Sequence, residues 1–306
     1  MRISAKQLAV FVAIAKQGNL TRAAESLHMS QAAASMSLAD LENQLDASLF
    51  DRVGKKLMLN SIGQALLPKA VDIVSKIQEF EVAAKNPVGL SGELIIGAST
   101  TIANYVLPKI ISSFIERYPQ IKISLQVGNT EQIIGQMGHF QLDLGFIEGT
   151  CHSPELNVEL WQQDELVCFT RPGHLLARQE AVSIDDLSSA QWIMREQGSG
   201  TREIFERSSF DKLARLNIML ELGSAEAIKQ AVMGSDAIGC LSALTLQAEL
   251  ANHSLVKLPV PELVMKRDLL ILTHGAKSES SLVQAFRSSM VAKADKPRIK
   301  LRPIVS

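Results

Sequence analysis

Between Gly18 and Glu42 the chain reads GNLTRAAESLHMSQAAASMSLADLE, two short amphipathic stretches separated by a tight turn. Neither stretch is long enough to be stable alone, so this segment must form a small helical bundle or a helix-turn-helix. Thr21 is placed to cap the first helix, Ala23, Ala24 and Leu27 form its apolar face, and His28-Met29 makes the turn. Ser30 then caps a second helix, in which Ala34, Leu38, Leu41 and Leu45 recur at intervals of four, three and four. The opposite face carries Ala32, Ala33, Met36 and Ala39, with Gln31 and Ser35 on its flank. A helix made only for solubility would be laced with Lys and Glu. Short side chains with amide and hydroxyl groups let a helix lie deep in a major groove and read base edges. From this segment alone the helical bundle stays open as the alternative.

Leu49-Phe50-Asp51-Arg52 and Lys55-Lys56-Leu57-Met58-Leu59 flank Gly54, a pattern that predicts strand, turn and strand: a basic wing beside the reading helix. The first 60 residues hold seven basic side chains (Arg2, Lys6, Lys16, Arg22, Arg52, Lys55, Lys56) and five acidic ones (Glu25, Asp40, Glu42, Asp46, Asp51). So weak an excess argues that one copy binds DNA poorly and that affinity comes from joining several modules.

The order LxxFxxxxxxGNLTRAAESLxxSQxxxSxxLxxLExxLxxxLFxR, starting at Leu8, resembles the LysR-type transcriptional regulators, with a match running unbroken from Leu8 through Gly63. The resemblance implies an α+β multi-domain chain. Its parts are an N-terminal winged helix-turn-helix (residues 1–60), a linker helix (61–88) and a C-terminal two-lobed α/β effector domain of periplasmic-binding-protein type (89–306). The family's base-contacting positions correspond to Gln31, Ala32, Ser35 and Met36, beside Thr21, Arg22 and Ser30, with Arg52, Lys55 and Lys56 on phosphates. The family often has Pro or Ser at the second base-contacting position and a basic residue at the fourth. Ala32 and Met36 depart from that habit and point toward thymine-methyl contact rather than guanine readout.

From Ser61 to about Lys85, Ile62, Leu66, Ala70, Ile73, Ile77, Phe80 and Ala84 recur at intervals of four, four, three, four, three and four. Such a stripe is a coiled-coil seam, or else the face of a helix packed on its own domain. Pro68 should kink this helix by removing the amide that would bond to Gln64, and Asn86-Pro87-Val88-Gly89 should end it at a hinge. Pairing through Ile62, Leu66, Ile73, Ile77 and Phe80 would give a homodimer, able to pair again into a homotetramer, on a twofold operator in double-stranded DNA.

A length of 306 residues suggests about two domains, and 46% hydrophobic residues with a net charge of −1 exclude a bulk polycation. No stretch reaches the roughly 18 consecutive apolar residues of a membrane span, so no membrane partner and a cytoplasmic location are expected. Cys151, Cys168 and Cys240 are odd in number and widely spaced, which fits a reducing compartment and neither a disulfide framework nor a zinc site. The His residues show no HxxxH or HExxH spacing, so neither metal nor cofactor is expected.

The second half alternates strands and helices. Gly92 to Ala98, Ile121 to Val127 and Leu142 to Ile147 read as strands, and stretches through Tyr105 to Phe114 and Glu131 to Met137 as helices, an order that predicts a parallel sheet with helices on both faces. The chain should cross into a second lobe around Asp164 and return near Arg267, giving lobe I over 91–164 and 268–293 and lobe II over 165–267.

Ligand chemistry is expected between the lobes, where strands lead into helices. Ser99-Thr100-Thr101 offers hydroxyls and unpaired helix-start amides suited to an anion, with Asn104 one turn further on. Gly198-Ser199-Gly200-Thr201-Arg202 offers the same from the second lobe, Arg202 being the obvious cation; ordinary N-capping is the alternative at each. Glu148-Gly149-Thr150-Cys151-His152 follows a strand, and Glu148 would repel an anion unless protonated or bridged, so it either tunes selectivity or caps a loop. Ser224 and Glu226 mark another strand-to-helix corner that closes the cleft, unless Glu226 only complements a helix dipole. Cys151 and His152 suggest nucleophile and base, but adjacent residues on an extended loop point apart and no third group orients them, so the chain is not expected to be an enzyme. Trp161 and Trp192 are expected in cores.

The phrases GFIEGTCHS, REQGSGTRE and ELGSAEAIKQAV further resemble the branch of the family that responds to sulfite and related small anions. The reading is thus a DNA-binding regulator switched by a small-molecule effector, sulfite first, with an organic carboxylate as the alternative. A transport-type binding module without DNA function and a Cys-His hydrolase are the rivals from other classes.

Overall fold

The computed structural model describes residues 3–53, 56–85, 90–211 and 216–291. The N-terminal head is built from α1 (Ala5–Gln17), α2 (Leu20–Ser26), α3 (Gln31–Leu45), β1 (Phe50–Val53) and β2 (Lys56–Leu59). Ser4 and Gln7 cap the start of α1 reciprocally, and Gly18 ends it in the left-handed region. The cap of α2 is Asn19, not Thr21: its carboxamide oxygen accepts from the amides of Thr21 and Arg22, the job a hydroxyl two residues later cannot do. His28 turns the chain with a φ of 53°, and Ser30 caps α3 as expected. Ala23, Ala24, Ala34, Leu38 and Leu41 close on Val10, Phe11 and Ile14 from α1, and Phe11 meets Phe50 edge-on at 5.6 Å.

The long helix α4 (Ser61–Lys85) continues through Pro68, the position where a kink was expected, as one helical run. Gly63 in its first turn is required by packing, since a Cβ there would lie 2.1 Å from the Leu49 carbonyl oxygen. The helix is not a free stripe along its whole length. Leu67, Ala70 and Val71 are buried in the head's core and Leu66 packs against it, whereas Ile62, Ile73 and Phe80 are exposed. The seam is thus divided, its first half serving the chain's own domain.

The remaining chain forms β3 (Gly92–Ser99), α5 (Leu107–Arg117), β4 (Ile121–Gly128), α6 (Thr130–Gly138), β5 (Leu144–Glu148), β6 (Leu156–Thr170), α7 (Ile184–Ser189) and β7 (Gln191–Arg195). It continues through α8 (Gly200–Ser209), β8 (Asn217–Leu222), α9 (Ala225–Met233), β9 (Ile238–Ser242), α10 (Gln247–Ala251), β10 (Val256–Lys257), β11 (Met265–His274) and α11 (Ser281–Val291). The strands join in the order β4-β3-β5-β11-β6-β9-β7-β8, with β10 beside β6. The three strands from which a parallel sheet was expected do pair in parallel, β3 with β4 and with β5, but the whole sheet is mixed, because β11 runs antiparallel to both β5 and β6, and β6 antiparallel to β9. The reason lies in two long strands. Fifteen-residue β6 and ten-residue β11 carry the chain out of one lobe and back into it, and a returning strand beside an outgoing one is antiparallel. Asp164 and Arg267 sit opposite each other in that ladder, at the crossing.

Each lobe has its own core. Leu94, Ile96, Phe114, Phe146, Leu269 and Phe286 fill the first, with Trp161 against it; Trp192, Phe205, Ile204, Leu166 and Cys240 fill part of the second. Among the described residues no helix is long and apolar enough to cross a membrane.

Candidate effector cleft and DNA-reading face

On the head, Thr21, Arg22, Ser30, Gln31, Ala32, Ser35 and Met36 are all exposed, Met36 keeping 68% of its surface. The burial of Ala34, Leu38 and Leu41 turns that face outward. Arg52 on β1 is also exposed. Lys55 lies outside the described residues, and of Lys56 only its backbone place on β2 is described.

The cleft is organised by a guanidinium that the sequence marked only as a crossing point. Arg267 is fully buried: Nε and Nη2 bind Asp164 Oδ2 at 2.8 and 2.7 Å, Nη1 donates to Thr201 Oγ1 at 2.8 Å and Nη2 to Thr101 Oγ1 at 3.3 Å. One side chain therefore joins a hydroxyl from each lobe. Arg195, at the end of β7, donates from Nη1 to Thr100 Oγ1 across the cleft at 2.9 Å while Glu196 binds its Nε and Nη2. Burial by itself would raise the Glu196 carboxyl, but Arg195 outweighs it and holds the group below the usual carboxylate range. Arg202 does not serve as the cleft's cation. Its guanidinium turns back along α8 to Glu206, donates to the Arg195 carbonyl oxygen at 3.1 Å and faces Glu221 at 3.6 Å, so it braces lobe II.

The lobes touch closely around this cluster. Thr130 Oγ1 donates to the Glu148 carbonyl oxygen and accepts from the Gly200 amide, at 3.1 and 3.2 Å. The Glu131 amide donates to the Gly198 carbonyl oxygen at 3.2 Å, and Thr150 donates to the Glu203 carboxylate. Gly198 adopts a φ of +80°, and Gly149 one of +93°. Ser99, Glu148, Ser199 and Thr201 are buried in this region. Neither Ser99 Oγ nor Glu148 Oε1 has a hydrogen-bond partner among the described residues.

At the other end of the cleft Tyr105 donates to Glu226, and Lys229 binds Glu226 at 2.8 Å, Glu249 at 2.7 Å and the Thr245 carbonyl oxygen at 3.0 Å. Burial pulls the Lys229 ammonium down, yet the two carboxylates outweigh it and hold the group above its ordinary value. Glu226 therefore does more than complement a dipole: it links the lobes. Ser224 and Asn104 are exposed, Asn104 on a π-helical turn (Ile102–Val106) that leads into α5. Cys151 is half-buried, which pushes its thiol up and away from nucleophilic use, and His152 is exposed.

Reasoning from sequence missed Arg195, Arg267, Asp164, Tyr105, Thr130 and Lys229 as cleft residues. Two had a visible signal: Arg267 occupies an inward position between Met265 and Leu269, and Arg195 ends the apolar run Trp192-Ile193-Met194. A charge on the inward face of a strand needs a buried partner.

A winged reading head joined to a two-lobed domain with a polar cleft defines a ligand-responsive DNA-binding regulator. Comparison with known proteins identifies the lineage. Residues 5–64 match the bacterial regulatory helix-turn-helix protein model of the lysR family, and residues 88–295 match the LysR substrate binding domain. The chain belongs to the LysR family of transcriptional regulators. It is 40% identical over 286 residues to the uncharacterized HTH-type transcriptional regulator YeiE of Escherichia coli K12, covering 94% of this chain and 96% of that one. The fold is similar to a full-length OxyR variant from Pseudomonas aeruginosa, with a TM-score of 0.76 at 17% identity over 99% and 100% of the two chains. The regulatory domain of CcmR from Synechocystis PCC6803, solved in complex with 2-PG, is similar at 34% identity and a TM-score of 0.62, over 66% of this chain and 97% of that one.

Proposed function

We propose that this LysR-type regulator is switched by a small oxyanion, sulfite first, held between the lobes by Thr100, Thr101, Ser199 and Thr201 and the amides around them. The observation that carries the reading is the convergence of two helix starts, one from each lobe, on buried Arg267. Helix N-termini and charge-assisted bonds suit a compact anion, and hydroxyls suit it better than they suit an aromatic acid. The CcmR relative with bound 2-PG favours a second reading, an organic acid in the same cleft. Titration calorimetry with sulfite, sulfate and acetate decides between them: heat from acetate with none from either sulfur oxyanion overturns the first. Thr201→Val keeps the volume and removes the hydroxyl, so affinity for the bound anion falls roughly tenfold or more while ligand-free DNA binding survives.

The DNA face in this reading is Gln31, Ala32, Ser35 and Met36, with Thr21, Arg22, Ser30, Arg52, Lys55 and Lys56 toward the backbone. Ser35→Arg then changes site preference, whereas Arg52→Ala weakens binding to every sequence and lowers the salt slope by roughly one unit. Selection of binding sites from a random pool, with salt titrations, separates the two. An unchanged preference in Ser35→Arg means another face of the head reads the bases.

A further inference from the structure

Glu148 is hard to reconcile with a site for any anion whatever. It closes β5 beside the end of β3, where Ser99 stands, and its backbone is fixed by Thr130 Oγ1 on its carbonyl oxygen and by the Gly149 amide on the Asp268 carbonyl oxygen. Its Oε1 is buried, lies 4.0 Å from Arg267 Nη2, beyond hydrogen-bond reach, and accepts no bond from any described residue. Asp164 already binds Arg267 through both Nε and Nη2, so the cluster sets one guanidinium against two carboxyl groups. A buried carboxylate oxygen without a donor is costly, and an anion that brings only lone pairs would add repulsion to that cost.

We infer that Glu148 is a specificity-determining residue that accepts a hydrogen bond from the ligand and so selects an anion carrying an O–H group of its own over one that carries none. The inference rests on the anion reading above. Ser99 Oγ, buried and equally without a partner among the described residues, can donate as well as accept and serves a ligand oxygen on the same side. Arg267 and the helix-start amides then hold the charged end, and Glu148 holds the protonated end. The shared chemistry, an anion with a donor, comes from two sources: a protonated inorganic oxyanion or a hydroxycarboxylate. Sulfate and simple carboxylates are discriminated against because they leave Glu148 Oε1 unpaired and push a second lone pair toward it.

The test uses the full chain and matched pairs of probes at neutral pH: inorganic phosphate, which keeps a proton, against sulfate, which does not, and glycolate against acetate. In every pair that binds, the donor-bearing member binds the wild type about tenfold or more tightly than its counterpart, as expected for one hydrogen bond to a charged group. Glu148→Gln replaces an obligate acceptor with a group that can also donate, so that gap closes and sulfate or acetate gains. Ser99→Ala weakens both members alike and leaves the gap in place. Binding in the phosphate pair alone assigns the inorganic source, and binding in the glycolate pair alone the organic one; either supports the inference when the gap is present. Equal or tighter binding of the donor-free member to the wild type overturns the inference while sparing the anion reading, as does a gap that survives in Glu148→Gln. No binding of any of these probes overturns the inference, and it overturns the anion reading as well when sulfite gives no heat either. The wild-type comparison needs no variant and stays decisive if Glu148→Gln fails to fold.

Discussion

Gly200 sits where the two lobes touch, and a Cβ on it would fall 2.2 Å from the Glu148 carbonyl oxygen and 2.7 Å from Thr130 Oγ1. Backbone cannot yield as a flexible side chain does, so Gly200→Ala must push the lobes apart. We expect a loss of roughly 1–3 kcal/mol in stability, read from denaturant unfolding, and weaker effector binding with DNA affinity intact in the absence of ligand. An unchanged unfolding midpoint would show that the lobes separate at no cost. At this scale the sequence was informative about hydroxyls and glycines and misleading about charge. The loop around Gly198 to Thr201 was legible because strand-to-helix corners hold ligands in open sheets. Arg202 attracted attention by its place in the same loop, yet Glu206 one turn later captures it, an i,i+4 pair that the sequence also contained.

Among the elements, α4 shows how one periodicity serves two surfaces. Leu66, Leu67, Ala70 and Val71 belong to the head's core, which leaves Ile73 and Phe80 exposed and Ile77 half-buried toward the C-terminal end. A stripe of that kind on an exposed helix fits pairing with a second copy. If two copies pair through this stripe, as we propose, Ile77→Asp places a charge in the pairing surface and costs on the order of several kcal/mol of pairing free energy, leaving monomers in sedimentation. An unaltered sedimentation coefficient would mean that the stripe packs intramolecularly. Spacing alone did not divide the stripe, since intervals of three and four satisfy an intramolecular face and a coiled coil equally.

Across the whole molecule the head rests on lobe I. Phe140, held at a φ of 55°, stacks on His274 at 3.9 Å and packs into the head's core; Gln141 donates to the Lys16 carbonyl oxygen, and the Ser278 amide to Asp72. Lys277 binds Asp143 at 2.6 Å near Lys16, whose ammonium is pushed down by burial and by Lys277. The same forces act on His274: burial lowers its imidazole and Lys277 adds to this, against the pull of Glu155. An imidazole with a folded pKa below its unfolded one binds more protons when unfolded, so stability rises with pH through that window and falls as acid is added. Acidification through the ordinary imidazole range should therefore lower the unfolding midpoint, and His274→Phe, which keeps a ring on Phe140, should flatten that part of the profile. A profile identical in slope for the two proteins would assign the acid sensitivity to other groups.

The sequence by itself determined the winged head, the long helix and the alternation of strands and helices, because capping residues, apolar spacing and turn glycines act over a few neighbouring residues. It also placed the two hydroxyl-bearing loops. Only the tertiary structure decided that the sheet is mixed, since the pairing of β6 with β11 joins residues about a hundred positions apart, as Asp164 and Arg267 show. That same pairing put Arg267 between Thr101 and Thr201 and left Glu148 Oε1 without a donor among the described residues. The distinction is physical: local propensity is written in adjacent side chains, whereas the charge balance of a cleft depends on which distant carboxylate reaches a guanidinium first.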